Sequence, residues 1–289
     1  MIIEIEVTSG FCFGVERAVE TAEKALDGGG EVYCLGDIVH NRQEVQRLSE
    51  KGLKQIKHDQ LHSLSGKKVM IRAHGEPPET YKAIRESETQ LIDATCPVVL
   101  KLQKRVKKAL DKDPGAQIVI YGKPGHPEVV SLSGQIGHQA IIVTDDYESL
   151  EVIDFRKPIV LFSQTTQSLE GFHALVKELE HRLKKFHSDL SEALTVNDTI
   201  CRQVSRRGPA LIKFAHSHDV IIFVSGANSS NGRYLYGLCK EANPDSHFIE
   251  QSGELKKEWF DGASSTGITG ATSTPRWQME EVVMVIKNL

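Results

Sequence analysis

The sequence predicts an α/β fold in which helices cover parallel sheets. Short apolar segments of strand character alternate along the chain with segments whose apolar residues recur every three or four positions. Such alternation is typical of parallel strands joined through helices. A weak repeat adds detail, because FCFGVERAVE, TCPVVLKLQ and ICRQVSRRG each place a cysteine just before a predicted helix. We therefore expect three similar α/β units.

The predicted elements follow one another without a long linker. Eight segments are predicted strands: IIEIEV, VYCLG, VMIRAHG, IVIYG, AIIVT, IVLFSQTT, VIIFVSG and STGITG. Predicted helices are clearest in GVERAVETAEKALD, PPETYKAIRE, PVVLKLQKRVKKALDK, LEGFHALVKELEHRLKKF and PRWQMEEVVMVIK, and YLYGLCKEA is a further predicted helix. The cysteine spacing of the repeat suggests units of about 90 residues, with boundaries at 1–96, 97–197 and 198–289.

The charge and the hydropathy of the chain argue against some classes of binding partner. The 289 residues include 39 acidic and 35 basic side chains, so the formal net charge is -4 and no global positive field attracts nucleic acid or an anionic membrane. The first ten residues, MIIEIEVTSG, lack the basic region of a secretory signal. Apolar runs such as VIIFV fall far short of the roughly 18 residues that a membrane span needs. These features predict a cytoplasmic protein with no nucleic-acid or membrane partner.

Five cysteines are scattered along the chain, an odd number that does not indicate a secreted disulfide framework. Free cysteines are usually buried as small apolar residues, which is our interpretation of Cys34 inside VYCLG and Cys239 inside YLYGLCKEA. Cys12, Cys96 and Cys201 instead lie at strand-to-helix junctions, where helix amides lower a thiol pKa. Three thiolates suit a 4Fe-4S cluster with one open iron position, and a three-cysteine zinc site remains an alternative.

Histidines and small hydroxyl residues follow several predicted strands. His40, His74 and His126 each stand in or near such a loop, where a single histidine is most often structural. The loops SQTT (163–166), ANSSNG (227–232) and GATSTP (270–275) are rich in Ser, Thr, Asn and Gly, which ordinary turns also use. Open α/β sheets bind ligands at such strand ends, and these residues suit phosphate. Together they predict a small diphosphate ligand.

Glu128, in the segment HPEVV, has two interpretations. It follows a proline that can begin a helix, and an acid in the first turn of a helix stabilises that helix. Alternatively, burial beside His126 tunes its pKa for proton donation.

The motifs GFCFGV, GDIVHN, RAHG, DATCP, GHPE, QTT, DTIC, SSN and a closing SxP occur in an order that resembles the LytB family. They extend from Cys12 to Pro275, which is nearly the whole chain. The resemblance implies three α/β units in a trefoil-like arrangement around one central 4Fe-4S cluster per chain. It also implies an iron–sulfur oxidoreductase.

The resemblance assigns roles to individual residues. Cys12, Cys96 and Cys201 are implied cluster ligands, Glu128 the proton donor, and Thr165 a residue that relays a proton or orients the substrate hydroxyl. The implied substrate-binding residues are His40, His74, His126, Thr165, Ser229, Ser230, Asn231 and Ser273. Val204 departs from the pattern, because many family members have a threonine there, and Ser205 is the nearest hydroxyl.

The implied reaction is the reductive dehydroxylation of 4-hydroxy-3-methylbut-2-enyl diphosphate to isopentenyl and dimethylallyl diphosphates, the last step of the non-mevalonate (methylerythritol phosphate) isoprenoid pathway. No nucleotide-binding fingerprint is evident, so a separate ferredoxin or flavodoxin is the implied electron donor. Two rivals remain open on sequence grounds. One is a redox-neutral 4Fe-4S hydro-lyase, and the other is a non-catalytic cluster protein that senses oxygen or carries electrons.

Overall fold

The structure is a computed structural model that describes residues 1–289. Helices and strands alternate along most of the chain. The strands are β1 (Ile2–Ile5), β2 (Val32–Leu35), β3 (Leu53–Ile56), β4 (Lys68–Ile71), β5 (Gln90–Asp93), β6 (Gln117–Tyr121), β7 (Ile141–Val143), β8 (Ile159–Ser163), β9 (Leu194–Val196), β10 (Val220–Val224), β11 (Ser246–Ile249) and β12 (Ser265–Gly270). The helices are α1 (Phe13–Asp27), α2 (Arg42–Glu50), α3 (Pro78–Glu86), α4 (Pro97–Lys112), α5 (Pro127–Gly134), α6 (Leu169–Leu183), α7 (Leu190–Ala193), α8 (Arg202–Ser205), α9 (Arg207–His216), α10 (Ser230–Ala242) and α11 (Arg276–Lys287).

The strands form three four-stranded sheets, which confirms the α/β class and the prediction of three similar sheet units. One sheet has the order β1-β12-β10-β11, and another has the order β7-β6-β8-β9. Within the sheet of β2 to β5, β4 pairs in parallel with β5. The sheet order joins the first strand of the chain to its last, because β1 pairs in parallel with β12.

The chain divides into two compact units, one of residues 1–55 with 202–289 and the other of residues 56–201. We call them the discontinuous unit and the continuous unit. The division at 1–96, 97–197 and 198–289 stays a prediction, as does the trefoil-like arrangement.

Helices cover both faces of the central strands. In the discontinuous unit all five residues of β10 are buried. Its Ile222 packs with Met279 and Val282 of α11 on one face, while Phe223 packs with α9 and α10 on the other. A strand buried on both faces becomes a continuous apolar run, which explains why VIIFV shows no alternation. This covering leaves the carboxyl ends of the strands to carry the polar loops.

No helix has both the length and the apolar character that crossing a membrane requires. The cytoplasmic location stays a prediction.

Candidate active site

The three candidate ligand cysteines occupy equivalent positions at the start of a helix. Cys12 is the N-cap residue of α1, Cys96 is the N-cap residue of α4, and Cys201 directly precedes α8. Pro97 at the first position of α4 explains why that helix begins there, because proline suits the first turn and has no amide to leave unsatisfied. The predicted strand-to-helix junctions are therefore confirmed for all three cysteines.

One backbone hydrogen bond recurs at each of these cysteines. The cysteine amide donates to a carbonyl in the loop after the strand that pairs with the cysteine's own strand. The three bonds are Cys12 to Thr272 (3.1 Å), Cys96 to Ala73 (3.0 Å) and Cys201 to Thr165 (2.8 Å). Each acceptor is, or directly precedes, a residue of the predicted substrate-binding set. The same local geometry thus places each thiol beside a candidate ligand loop.

The burial of the five thiols separates them as predicted. Cys34 and Cys239 are fully buried, and the Cys239 sulfur contacts the Ser246 hydroxyl at 3.3 Å, as expected of packed residues. The other three are partly exposed and form no disulfide. For Cys96, however, the expected lowering of the pKa is wrong. Burial raises the pKa of its thiol by more than the amides of Val98 and Val99 lower it.

Glu128 and Thr165 form a buried pair in the continuous unit. The Thr165 amide donates to one carboxyl oxygen of Glu128 at 2.7 Å, and the Thr165 hydroxyl donates to the other at 2.8 Å. Only 2% of Glu128 is exposed. Burial raises the pKa of Glu128 to about 7, although both bonds from Thr165 favour the charged form and oppose the shift. A carboxyl group with such a pKa can hold a proton near neutral pH and can also release it.

Two of the predicted histidines lie next to each other in this unit. The His74 and His126 rings meet edge to face, with centroids 5.2 Å apart. His126 is the N-cap residue of α5, and its Nδ1 accepts a hydrogen bond from the Glu128 amide at 3.2 Å. Because Nδ1 accepts, the neutral ring carries its proton on Nε2, which is then a donor for an anion.

Thr199 is a structural residue of this site that the sequence analysis missed. Its hydroxyl donates to the Ser163 carbonyl at 2.7 Å and accepts from the Ser163 amide at 2.8 Å. It therefore joins the end of β8 to the segment that leads to Cys201. The motif DTIC carried the only signal, because a threonine two residues before a ligand can brace the loop through its hydroxyl.

The hydroxyl and amide residues of the discontinuous unit gather at the start of α10. Ser229 caps this helix by accepting from the Gly232 amide at 3.0 Å, and its hydroxyl lies 3.2 Å from the Ser273 hydroxyl. Ser230 also belongs to this turn, but it is exposed. Gly232 has to be glycine, because an added Cβ would lie 2.1 Å from the Ser225 hydroxyl.

The side-chain amide of Asn231 is held in one orientation, and its N–H donor has no hydrogen-bond partner. Its side-chain oxygen accepts from the Thr272 amide at 3.2 Å and from the Thr272 hydroxyl at 2.9 Å. Its side-chain nitrogen is buried and has no hydrogen-bond partner. A buried amide donor without a partner is costly, and a bound anion would satisfy it. Thr272, also missed by the sequence analysis, thereby connects Asn231 with Cys12, whose amide its carbonyl accepts.

His40 lies in the same unit, in the loop before α2. Its carbonyl approaches Gly226 so closely that an added Cβ there would lie 2.6 Å away, and His40 and Asn228 line one cavity of about 660 Å³. The neighbouring Asn41 caps α2 and donates to the Gln278 side chain at 2.8 Å, which fixes this loop to α11. His40 therefore stands beside the ANSSNG loop.

A pH-dependent stability follows from the burial of Glu128. Since its pKa is about 7 in the folded protein and 4.5 as the ordinary value, the folded state binds the extra proton between these pH values. Stability is therefore greatest below pH 4.5 for this group and is lost as the pH rises through about 7, by roughly 3 kcal/mol. Urea unfolding of cluster-free protein should show Glu128→Gln gaining stability relative to wild type from pH 5.5 to 8.5. Parallel pH profiles would contradict this expectation.

Comparison with known proteins identifies the family of this chain. The family model for the LytB protein matches residues 3–287. A 4-hydroxy-3-methylbut-2-enyl diphosphate reductase of Bacteroides fragilis is 49% identical over 287 residues, covering 99% of this chain and 97% of the relative. A protein of the same name from Chloroherpeton thalassium is 44% identical over 306 residues, covering 99% and 96%.

Two solved structures share the fold. The structure of (E)-4-hydroxy-3-methyl-but-2-enyl diphosphate reductase, the terminal enzyme of the non-mevalonate pathway, matches with a TM-score of 0.72 and 35% identity over all of both chains. The E-1-hydroxy-2-methyl-but-2-enyl-4-diphosphate reductase of Plasmodium falciparum matches with a TM-score of 0.85 and 25% identity, covering 99% of this chain and 88% of the other. Because the family model spans nearly the whole sequence and relatives align with it from end to end, this chain belongs to the LytB family.

Proposed function

We propose that this chain reduces 4-hydroxy-3-methylbut-2-enyl diphosphate with two electrons and two protons, giving isopentenyl or dimethylallyl diphosphate and water. The carrying observation is the recurrent junction at Cys12, Cys96 and Cys201, where the same backbone bond sets each thiol beside a candidate ligand loop. Relatives that carry the name of this reductase span the whole chain. This reaction ends the non-mevalonate route to isoprenoids.

The cysteines fit a 4Fe-4S cluster. Three partly exposed thiols that form no disulfide offer sulfur ligands at helix N-termini, and helix amides favour the charge of a bound thiolate. Cys12, Cys96 and Cys201 would hold one cluster per chain. A cluster held by three cysteines supplies an iron with an open coordination position and a route for electrons. A zinc site would use the same ligands, and the brown colour of anaerobically purified protein distinguishes the two.

Glu128 would donate the proton that converts the departing hydroxyl into water. Its pKa near 7 lets it hold this proton at neutral pH. Thr165, which donates two hydrogen bonds to Glu128, fixes the carboxyl orientation. Its hydroxyl can also turn toward the substrate hydroxyl, which is the relay or orienting role proposed for it.

The diphosphate would accept hydrogen bonds from histidine rings, a side-chain amide and serine hydroxyls. His40, His74 and His126 contribute ring N–H groups, and Asn231 contributes its buried amide nitrogen. Ser229, Ser230 and Ser273 add hydroxyls at the N-terminal end of α10, where the helix dipole favours an anion. Anchoring this end of the substrate positions its hydroxyl, which is catalysis by orientation.

Anaerobic turnover of the synthetic substrate with a chemical reductant tests the proposal. Formation of isopentenyl and dimethylallyl diphosphates is the expected result. Consumption of substrate without net reduction would instead indicate a hydro-lyase, and tight cluster binding without any turnover would indicate a sensor or electron carrier.

Asn231→Asp should weaken the binding of both substrate and inorganic diphosphate by about 10- to 100-fold. The change removes the amide donor, a charge-assisted hydrogen bond of roughly 1.5–3 kcal/mol, and places a negative charge near the anion. Titration calorimetry measures the affinity. Asn288→Asp is a matched control, because the same change falls on an exposed residue outside the candidate ligand loops. Equal affinities of the two variants would refute the anchoring role of Asn231.

A further inference from the structure

A second cavity opens beside Cys12 in the discontinuous unit. It has a volume of about 410 Å³, and its lining includes Thr8, Cys12, Gln203 and the arginines Arg202, Arg206 and Arg207. None of its lining residues carries a carboxylate. A chain with a net charge of -4 thus gathers three guanidinium groups next to one candidate cluster ligand.

The arginines differ in their roles. Arg207 is buried, donates to the carbonyls of Gly10 (3.2 Å) and Gly270 (2.6 Å), and lies 3.8 Å from the Glu6 carboxylate. It therefore braces the floor of the cavity. Arg202 and Arg206 are exposed. Arg206 is thus available to an acidic group from outside.

An aromatic residue adjoins these charges. Phe13 directly follows Cys12, and 54% of it is exposed. Its amide donates to the Gln203 side chain at 3.1 Å, so Gln203 ties the start of α1 to the cavity lining. Exposed aromatic and arginine residues are enriched in protein interfaces. We call Phe13, Arg202 and Arg206 the arginine surface.

We infer that the arginine surface docks an acidic electron-carrier protein of the ferredoxin or flavodoxin class. The inference rests on the proposed function, in which one turnover consumes two electrons, and on a sequence that carries no evident nucleotide-binding fingerprint. Each docked carrier would be oxidised by one electron, so two successive carriers reduce one substrate molecule. One proton ends in the water formed from the substrate hydroxyl, and the other ends on a carbon atom of the isopentenyl or dimethylallyl diphosphate. Docking here brings the carrier against Cys12, and charge complementarity steers it to this face.

The affinity of an oxidised flavodoxin and of an oxidised ferredoxin for the cluster-loaded protein provides the test. We expect binding by at least one of them that weakens with added salt. Arg206→Glu should lower this affinity about tenfold and flatten its salt dependence, and Phe13→Ala should lower it to a similar extent. Glutamate at position 206 is compatible with folding, because it stands at the N-terminus of α9. Lys287→Glu makes the same charge change at an exposed residue of α11 and should leave the affinity unchanged.

Turnover with dithionite separates this inference from the proposed function. All three variants should keep wild-type turnover with dithionite, while Arg206→Glu and Phe13→Ala slow turnover driven by the carrier. If Arg206→Glu binds both carriers as tightly as Lys287→Glu, the docking site is wrong. The same conclusion follows if Arg206→Glu loses affinity only for inorganic phosphate, which would mark a small-anion site. Failure of wild type to turn over with dithionite would instead refute the proposed function, while carrier affinity still decides the docking site.

Discussion

Cys12→Ser, Cys96→Ser and Cys201→Ser should each lose the cluster, and with it all reductive turnover. A serine hydroxyl is too weakly acidic to replace a thiolate ligand, and no other cysteine stands at an equivalent helix start. Iron and sulfide analysis after anaerobic reconstitution measures the loss directly. Far-UV circular dichroism should remain native, because each of these thiols is partly exposed and contributes little to the core.

Cys34→Ser and Cys239→Ser are the matched controls. Both residues are buried, Cys34 within β2 and Cys239 within α10, so replacing the sulfur by a more polar hydroxyl lowers stability by about 1–3 kcal/mol. Iron and sulfide should nevertheless stay at the wild-type level. A full cluster in Cys96→Ser would contradict the ligand assignment, and so would a lost cluster in either control that is still folded.

Glu128→Gln should keep the fold, the cluster and substrate binding, but reduce turnover by roughly two to four orders of magnitude. The amide can replace the carboxyl in its contacts with Thr165, since its oxygen accepts from the Thr165 amide and its nitrogen donates to the Thr165 hydroxyl. The one property removed is the transferable proton, and loss of a positioned general acid has this magnitude. Single-turnover rates and the substrate dissociation constant separate the chemical step from binding.

Glu79→Gln tests the alternative that Glu128 only stabilises its helix. Glu79 also follows a proline in the first turn of a helix, α3, but it is exposed. If the helix effect were the whole role of Glu128, both variants would lose at most about 1 kcal/mol of stability and keep their activity. Near-normal turnover by Glu128→Gln would thus move the proton donor to another group, with Thr165 or the substrate diphosphate next in line.

The inner strands of the sheets were predictable, whereas most edge strands were not. All eight predicted strands form, and they include both inner strands of every sheet. The four missed strands, β3, β5, β9 and β11, all lie at sheet edges. An edge strand is short and partly solvated, as LKQI and QLID show, and therefore lacks the apolar run of a buried strand.

Two helices, α2 and α9, were not predicted for reasons that lie in their own sequences. In α2 the segment RQEVQRLSE is almost entirely polar, and the helix is stabilised by its Asn41 cap and by burial of Leu48. In α9 the segment RGPALIKFAH carries Gly208 and Pro209 near its start, which ordinarily indicate a loop. By contrast, the predicted segment of α4 matches Pro97–Lys112 from end to end, because a proline start and regular apolar spacing agree there.

In the candidate site, too, residues that a local sequence pattern indicates were predictable, whereas residues that act through contacts with distant segments were not. Cysteine and histidine positions at strand ends were visible in the sequence, because such residues are rare and stand next to recognisable strands. The roles of Thr199, Thr272 and Arg207 were not, because each depends on a partner from another segment. The raised pKa of Glu128 could not be predicted either. It depends on burial, and the sequence pattern of an acid in the first turn of a helix is the same whether the side chain is solvated or buried.

The pairing of β1 with β12 has a consequence for synthesis on the ribosome. Residues 2–5 are synthesised long before their pairing strand, residues 265–270. The continuous unit, 56–201, can fold before β12 is available to pair with β1. Throughout that interval the apolar segment IIEI is an unpaired strand with free amides and carbonyls, which is the kind of segment that associates with other nascent chains. Chaperone binding to β1 during synthesis would therefore protect the chain from such association.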